Sequence, residues 1–100
     1  MNNLTIKNIL TTREFDRSLK KLKKKHYDIS RIAQAVFHIA HREQDVLIRK
    51  YKWHLLKGDK AGINEIHLDR DWLLLYEITD NEITILLLDT GSHDSVFKHA

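Results

Sequence analysis

The apolar positions fall into two regimes that meet near Gly62. Before it they recur at helical spacing; after it they alternate or run together as strand residues do. Phe15, Leu19 and Leu22 stand at i, i+4 and i+7, which predicts a helix burying that stripe. Thr11 and Glu14 supply a capping box at its start. Lys20, Lys21, Lys23, Lys24 and Lys25 crowd its last turns, where the helix dipole favours cations. A second stripe, Ile29, Ile32, Ala33, Val36, Ile39 and Ala40, predicts a helix capped by Asp28 and ending near Arg42. The short gap from His26 to Asp28 makes the two an αα-hairpin. Ahead of them, Thr5 to Leu10 reads as a first strand.

From Glu43 to Gly62 the period is lost, and Val46, Leu47 and Ile48 either extend the second helix or pack beneath a loop. Three strands close the chain. Ile63–Leu68 alternates, Asp71–Thr79 is almost continuously apolar, and Ile83–Leu88 is apolar apart from Thr84. Turns at Asp69-Arg70 and Asp80-Asn81 make them an antiparallel meander. So apolar a central strand needs cover on both faces, and two helices cover one. With Leu86 and Leu88 opposite Ile83, Ile85 and Leu87, some apolar surface is expected to remain for a partner. The architecture is α+β: an N-terminal strand, a helical hairpin packed on a three-stranded meander, and a short C-terminal helix. At 100 residues it is expected to be one domain, 1–100.

Charge adds an asymmetry that the net value of +3 conceals. Residues 1–60 carry 15 Lys or Arg against 6 Asp or Glu, and residues 61–100 carry 2 against 8. A basic front half suits a polyanion, although a solvated helix face accounts for the same numbers. The run from Arg49 to His54 mixes cations with Tyr51 and Trp53, as a single-stranded RNA groove does. Either aromatic could instead anchor the core. No cysteine is available for disulfides or thiolate metal sites. No apolar run approaches the ~20 residues of a membrane helix, and the first ten residues lack a signal-peptide pattern. The expectation is a cytoplasmic protein without a membrane partner.

Candidate chemistry gathers at the strand ends. In a meander, His67 and Asp71 flank the first turn, and the third strand returns Gly91, Ser92 and His93 to that same edge. His54 has enough intervening chain to reach it. Imidazoles and a carboxylate suit proton transfer near neutral pH. No serine elbow, P-loop or HExxH motif is present. His38 and His41 share a helix face but lack a third ligand, so neither a metal nor a cofactor is expected. The set fits metal-free cleavage of RNA by its own 2′-hydroxyl, with cations holding the phosphate. Ordinary polar turn residues remain the alternative.

Tyr51 to Gly58, Glu65-Ile66-His67, Asp71 to Tyr76, and Thr90-Gly91-Ser92-His93 through Phe97 together resemble the YafQ-like branch of RelE-type toxins, along nearly the whole chain. The resemblance implies the toxin of a type II toxin–antitoxin pair. Such a toxin is an mRNA endoribonuclease that acts in the ribosomal A site and is silenced by a cognate antitoxin. A heterotetramer of the two proteins is one assembly it allows. His54, His67, Asp71, His93 and Phe97 fall on the family's active-site positions, Phe97 as a base-stacking residue. Asp89 and Asn64 depart from it, each standing where the family favours arginine. Phosphate support would then come from Lys50, Lys52 and Lys57. The competing reading is a weakened or non-catalytic module that binds RNA, ribosome or antitoxin through its basic face.

Overall fold

The computed structural model describes residues 6–79 and 84–97. Its centre is a five-stranded sheet in the order β1-β5-β4-β3-β2, where β1 is Asn8–Thr11, β2 His54–Leu55, β3 Asn64–Asp69, β4 Trp72–Thr79 and β5 Thr84–Gly91. β1 runs parallel to β5 and every other pair is antiparallel. The expected meander is therefore present and is extended at each side. The turn expected at Asp80-Asn81, together with Ile83, lies outside the described residues.

Five consecutive residues of β4, Trp72 to Tyr76, are buried, which is why its sequence reads as an unbroken apolar run. Trp72, Leu74 and Tyr76 join Ile66, Ile85 and Leu87 in a core under three helices. Those helices are α1, Arg13–Lys24, α2, Ser30–Ala40, and α3, Gln44–Tyr51. Phe15 and Leu22 come from the first, Ile32, Ala35 and Ile39 from the second, Leu47 and Tyr51 from the third. Leu73 and Leu75 point the other way and are buried as well, at 2% and 4% exposure. Leu86 and Leu88 are half-buried, and the edge strands carry the exposed side chains of Ile9 and Leu10 on β1 and Leu55 on β2. Some apolar surface is thus left on the sheet, at its edges. Leu74 is fully buried, so Leu74→Ala is expected to cost about 2–5 kcal/mol, read as a lower urea midpoint.

Three local details differ from the sequence reading. Thr12, not Thr11, caps α1: its Oγ1 accepts from the Phe15 N–H at 3.0 Å and donates to the Leu88 carbonyl at 2.6 Å. Thr11 is the last residue of β1, and the cap doubles as a tie between helix and sheet. Ile29, not Asp28, holds the cap position of α2; Asp28 stands one residue earlier, where its Oδ1 accepts from the Ser30 N–H at 3.2 Å and the Ser30 hydroxyl at 2.6 Å. The Ser30 hydroxyl bond is the main reason its carboxyl sits below the usual range. Third, the aperiodic stretch contains a separate helix, α3. It follows Arg42, which has a left-handed backbone at φ 55°. Lys52, left-handed at φ 52°, ends it and turns the chain into β2.

Candidate active site

Register sets the site. His54 on β2 stands opposite Glu65 on β3, which stands opposite Leu75 on β4. One step along, His67 stands opposite Leu73, whose other neighbour is Gly91 on β5. Opposed residues share a face, so His54, Glu65 and His67 rise on the side away from the helical core. Two strand spacings, about 10 Å, separate His67 from Gly91 across Leu73. Immediately beyond Gly91 and Ser92 lies the short helix α4, His93–Phe97.

The densest chemistry is around Glu65. Its carboxylate is buried, with 6% side-chain exposure, yet Oε1 lies 2.6 Å from His54 Nε2 and 3.4 Å from His67 Nε2. The imidazole rings are 6.1 Å apart between centroids. His54 Nδ1 lies 3.2 Å from the Lys52 carbonyl oxygen, so both its nitrogens face acceptors. A proton held between His54 and Glu65 satisfies that arrangement. Buried carboxylates survive when charge or hydrogen bonds compensate them, and the two imidazoles do so here.

Asp71 and His93 meet as the meander requires, but through the backbone: Asp71 Oδ1 accepts from the His93 N–H at 3.1 Å, beside Ser92 Oγ, which accepts from the Ser95 N–H at 3.1 Å. The two acceptors together cap the start of α4. The His93 ring packs on Phe97 with centroids 4.8 Å apart, and Lys60 Nζ sits 5.9 Å from the Phe97 ring. Lys60 comes from a single 3-10 turn, Gly58–Lys60, between β2 and β3. Cation, aromatic ring and imidazole thus stand together at the far side of the face.

The five residues expected in the site divide into two groups. His54 and His67 cluster on Glu65, while Asp71, His93 and Phe97 cluster on α4. Glu65 and Lys60 were not among the expected residues. Alternation marks Glu65 as an ordinary polar strand position, and its burial arises from β2, a pairing too short to read in sequence. The expected phosphate cations are less well placed. Lys50 lies over Tyr51, at 5.6 Å, and lines a cavity with Asp28, Arg31 and Leu68. Lys52 and Lys57 are exposed on either side of β2.

Both departures from the expected pattern have structural partners. The Asp89 carboxylate accepts from the Ser18 hydroxyl at 2.6 Å and from the Thr90 N–H at 2.8 Å, which ties β5 to α1. Its charge is engaged by the helix side of the molecule. Asn64 accepts from Trp53 Nε1 at 2.9 Å and donates to the Tyr76 carbonyl at 3.2 Å, locking the approach to β2 against the sheet.

Comparison with known proteins places this geometry in a class. A metal-bound toxin from Helicobacter pylori is 38% identical, with a TM-score of 0.79 over 90% of this chain and 98% of that one. The toxin in the DinJ–YafQ complex of Escherichia coli superposes with a TM-score of 0.75 at 24% identity, over 91% and 98% of the two chains. The mRNA interferase toxin YafQ of E. coli strain K12 is 26% identical over 84 residues, 84% of this chain and 88% of that one. The fold is that of the small α+β toxins of the RelE type. The family model described as the bacterial YafQ toxin of type II toxin–antitoxin systems matches residues 7–98, and this chain belongs to that family.

Proposed function

We propose that this toxin is an endoribonuclease that cleaves mRNA on the ribosome by metal-independent acid–base chemistry. The carrying observation is Glu65, a buried carboxylate shared by two imidazoles on the open face of the sheet. In this reading Glu65, with His54, takes the proton from a 2′-hydroxyl. His67 stabilises charge on the phosphate, and His93 on α4 protonates the departing 5′-oxygen. Phe97 stacks a base, and Lys60 adds positive charge beside it. The phosphate would lie above Leu73, between the two groups, so that base and acid flank it as an in-line displacement requires. Attack of the 2′-oxygen forms the bond to phosphorus, the bond to the 5′-oxygen breaks, and one proton moves at each end.

Family membership, together with the basic first half of the chain, supports a cytoplasmic toxin held inactive by a cognate antitoxin. Purified protein added to translating ribosomes in the presence of chelator is expected to cut the mRNA. Intact mRNA, with antitoxin binding retained, would favour the non-catalytic reading instead.

Asp71 has a separable role. If it works by capping α4, Asp71→Asn keeps an oxygen acceptor for the His93 N–H and preserves most cleavage. Asp71→Ala removes the acceptor, weakens the cap by about 0.5–2 kcal/mol, and is expected to slow cleavage about tenfold or more. Single-turnover rates for the two variants check this. Equal losses would show that the charge of Asp71 matters and the cap does not.

A further inference from the structure

Phe97 presents a half-buried ring, and the Lys60 ammonium stands 5.9 Å from its centroid. A base laid on that ring brings its edge to the ammonium. We infer that Lys60 selects the base that stacks on Phe97, and that it selects guanine through the O6 and N7 acceptors. The inference rests on the reading above, in which RNA lies along this face and Phe97 takes a base.

The backbone beneath Lys60 is held in place. The Ala61 N–H donates to the Gly58 carbonyl at 3.1 Å, and the Ile63 N–H donates to the Lys60 carbonyl at 3.2 Å. Gly58 and Gly62 flank the turn with φ of 71° and 92°, a conformation that favours glycine. The ammonium itself is uncommitted. Among the described residues no carboxylate pairs with it, whereas Arg31, Arg49, His54 and His67 each have one. A cation–π contact at an exposed site is weak enough for an arriving base to displace. The flexible lysine stem then carries the ammonium from the face of the ring to the rim of the base.

Donor chemistry selects the base. An ammonium donates hydrogen bonds and accepts none. Guanine sets O6 and N7 side by side as acceptors, while adenine places its N6 donor next to N7. Cytosine turns the N4 donor to the same edge, and uracil has O4 alone. A base in a single strand leaves this edge open while its face stacks. Stacking by itself tolerates any base, so the Phe97 ring fixes where the base lies and Lys60 fixes which base it is. The His93 ring, 4.8 Å from Phe97, keeps the selected nucleotide beside the proposed acid.

Anisotropy titrations of the full-length protein with short fluorescent oligouridylates test this. The oligonucleotides are made uncleavable by 2′-O-methyl sugars and carry a central guanine, inosine, 7-deazaguanine or adenine. Guanine and inosine, which keep both acceptors, should bind about tenfold more tightly than adenine, with 7-deazaguanine between them. The base series on the unaltered protein tests the edge without any substitution. Lys60→Met keeps the stem and should bring guanine down to the affinity of adenine, while Lys60→Arg should restore the preference. Absence of saturable binding, equal affinity across the series, or a guanine preference that survives Lys60→Met would overturn the inference. A guanine preference that depends on Lys60, in protein that never cuts mRNA on ribosomes, would instead remove the ribonuclease reading and leave the base recognition standing.

Discussion

Replacing Glu65 by glutamine is expected to slow RNA cleavage by about 10²–10⁴-fold, the span associated with loss of a positioned general base. The substitution keeps the volume and hydrogen-bonding ability of a buried side chain while removing its charge. The His54 ring then loses its anionic partner at 2.6 Å, and the 2′-hydroxyl loses its acceptor. Stability should change little, since an amide still bonds to imidazole and removing a buried charge relieves desolvation. Stopped-time cleavage assays with an unfolding curve on the same preparation separate these effects. Loss of fold without prior loss of rate would mean that Glu65 is a structural residue.

His93→Ala is the second large effect, again about 10²–10⁴-fold on cleavage, with antitoxin binding intact. His93 is exposed at the start of a five-residue helix and contributes no buried core, so the fold should tolerate its loss. The residual rate should depend more steeply on the leaving group than the parental rate does, because nothing then protonates the departing 5′-oxygen. With a 5′-thio leaving group, which needs no proton, the variant is expected to recover most of the parental rate. No recovery would place the acid elsewhere, and Lys60 beside Phe97 would be the next candidate.

The sequence showed some of this fold and site, and the difference is physical. Strong patterns revealed α1, α2 and the meander, because Phe15, Leu22 and Ile32 are buried in one core and the run Trp72–Tyr76 is buried on both of its faces. α3 was not told apart from an extension of α2 or a packed loop, because only Leu47 and Tyr51 of its eight residues are fully buried, with Val46 partly buried against the core. β2 escaped because a two-residue strand is defined by its partner, not by its own residues. The convergence of Asp71 with His93 followed from connectivity alone. Its nature did not, since a carboxylate bonded to a backbone N–H leaves no trace in residue types. Glu65 is the sharpest case. Its neighbours in sequence, Asn64 and Ile66, say nothing of His54, which arrives from a different strand to make a polar position into a buried, shared carboxylate.

Asp89 shows the reverse. On sequence it threatened the site with a repelling charge, and in the structure its carboxylate is bonded to Ser18 and to the Thr90 N–H. Lys60 stands beside the Phe97 ring, and Lys52 and Lys57 are exposed on either side of β2.

The chemistry of the cut ends tests the acid–base reading most directly. RNA cleaved by this protein in chelator should carry a 2′,3′-cyclic or 3′-phosphate on one fragment and a 5′-hydroxyl on the other, and a single 2′-deoxy substitution at the scissile nucleotide should block the cut. A 3′-hydroxyl paired with a 5′-phosphate, or unimpaired cleavage at the deoxy position, would contradict attack by the 2′-hydroxyl and with it the roles given to Glu65 and His93.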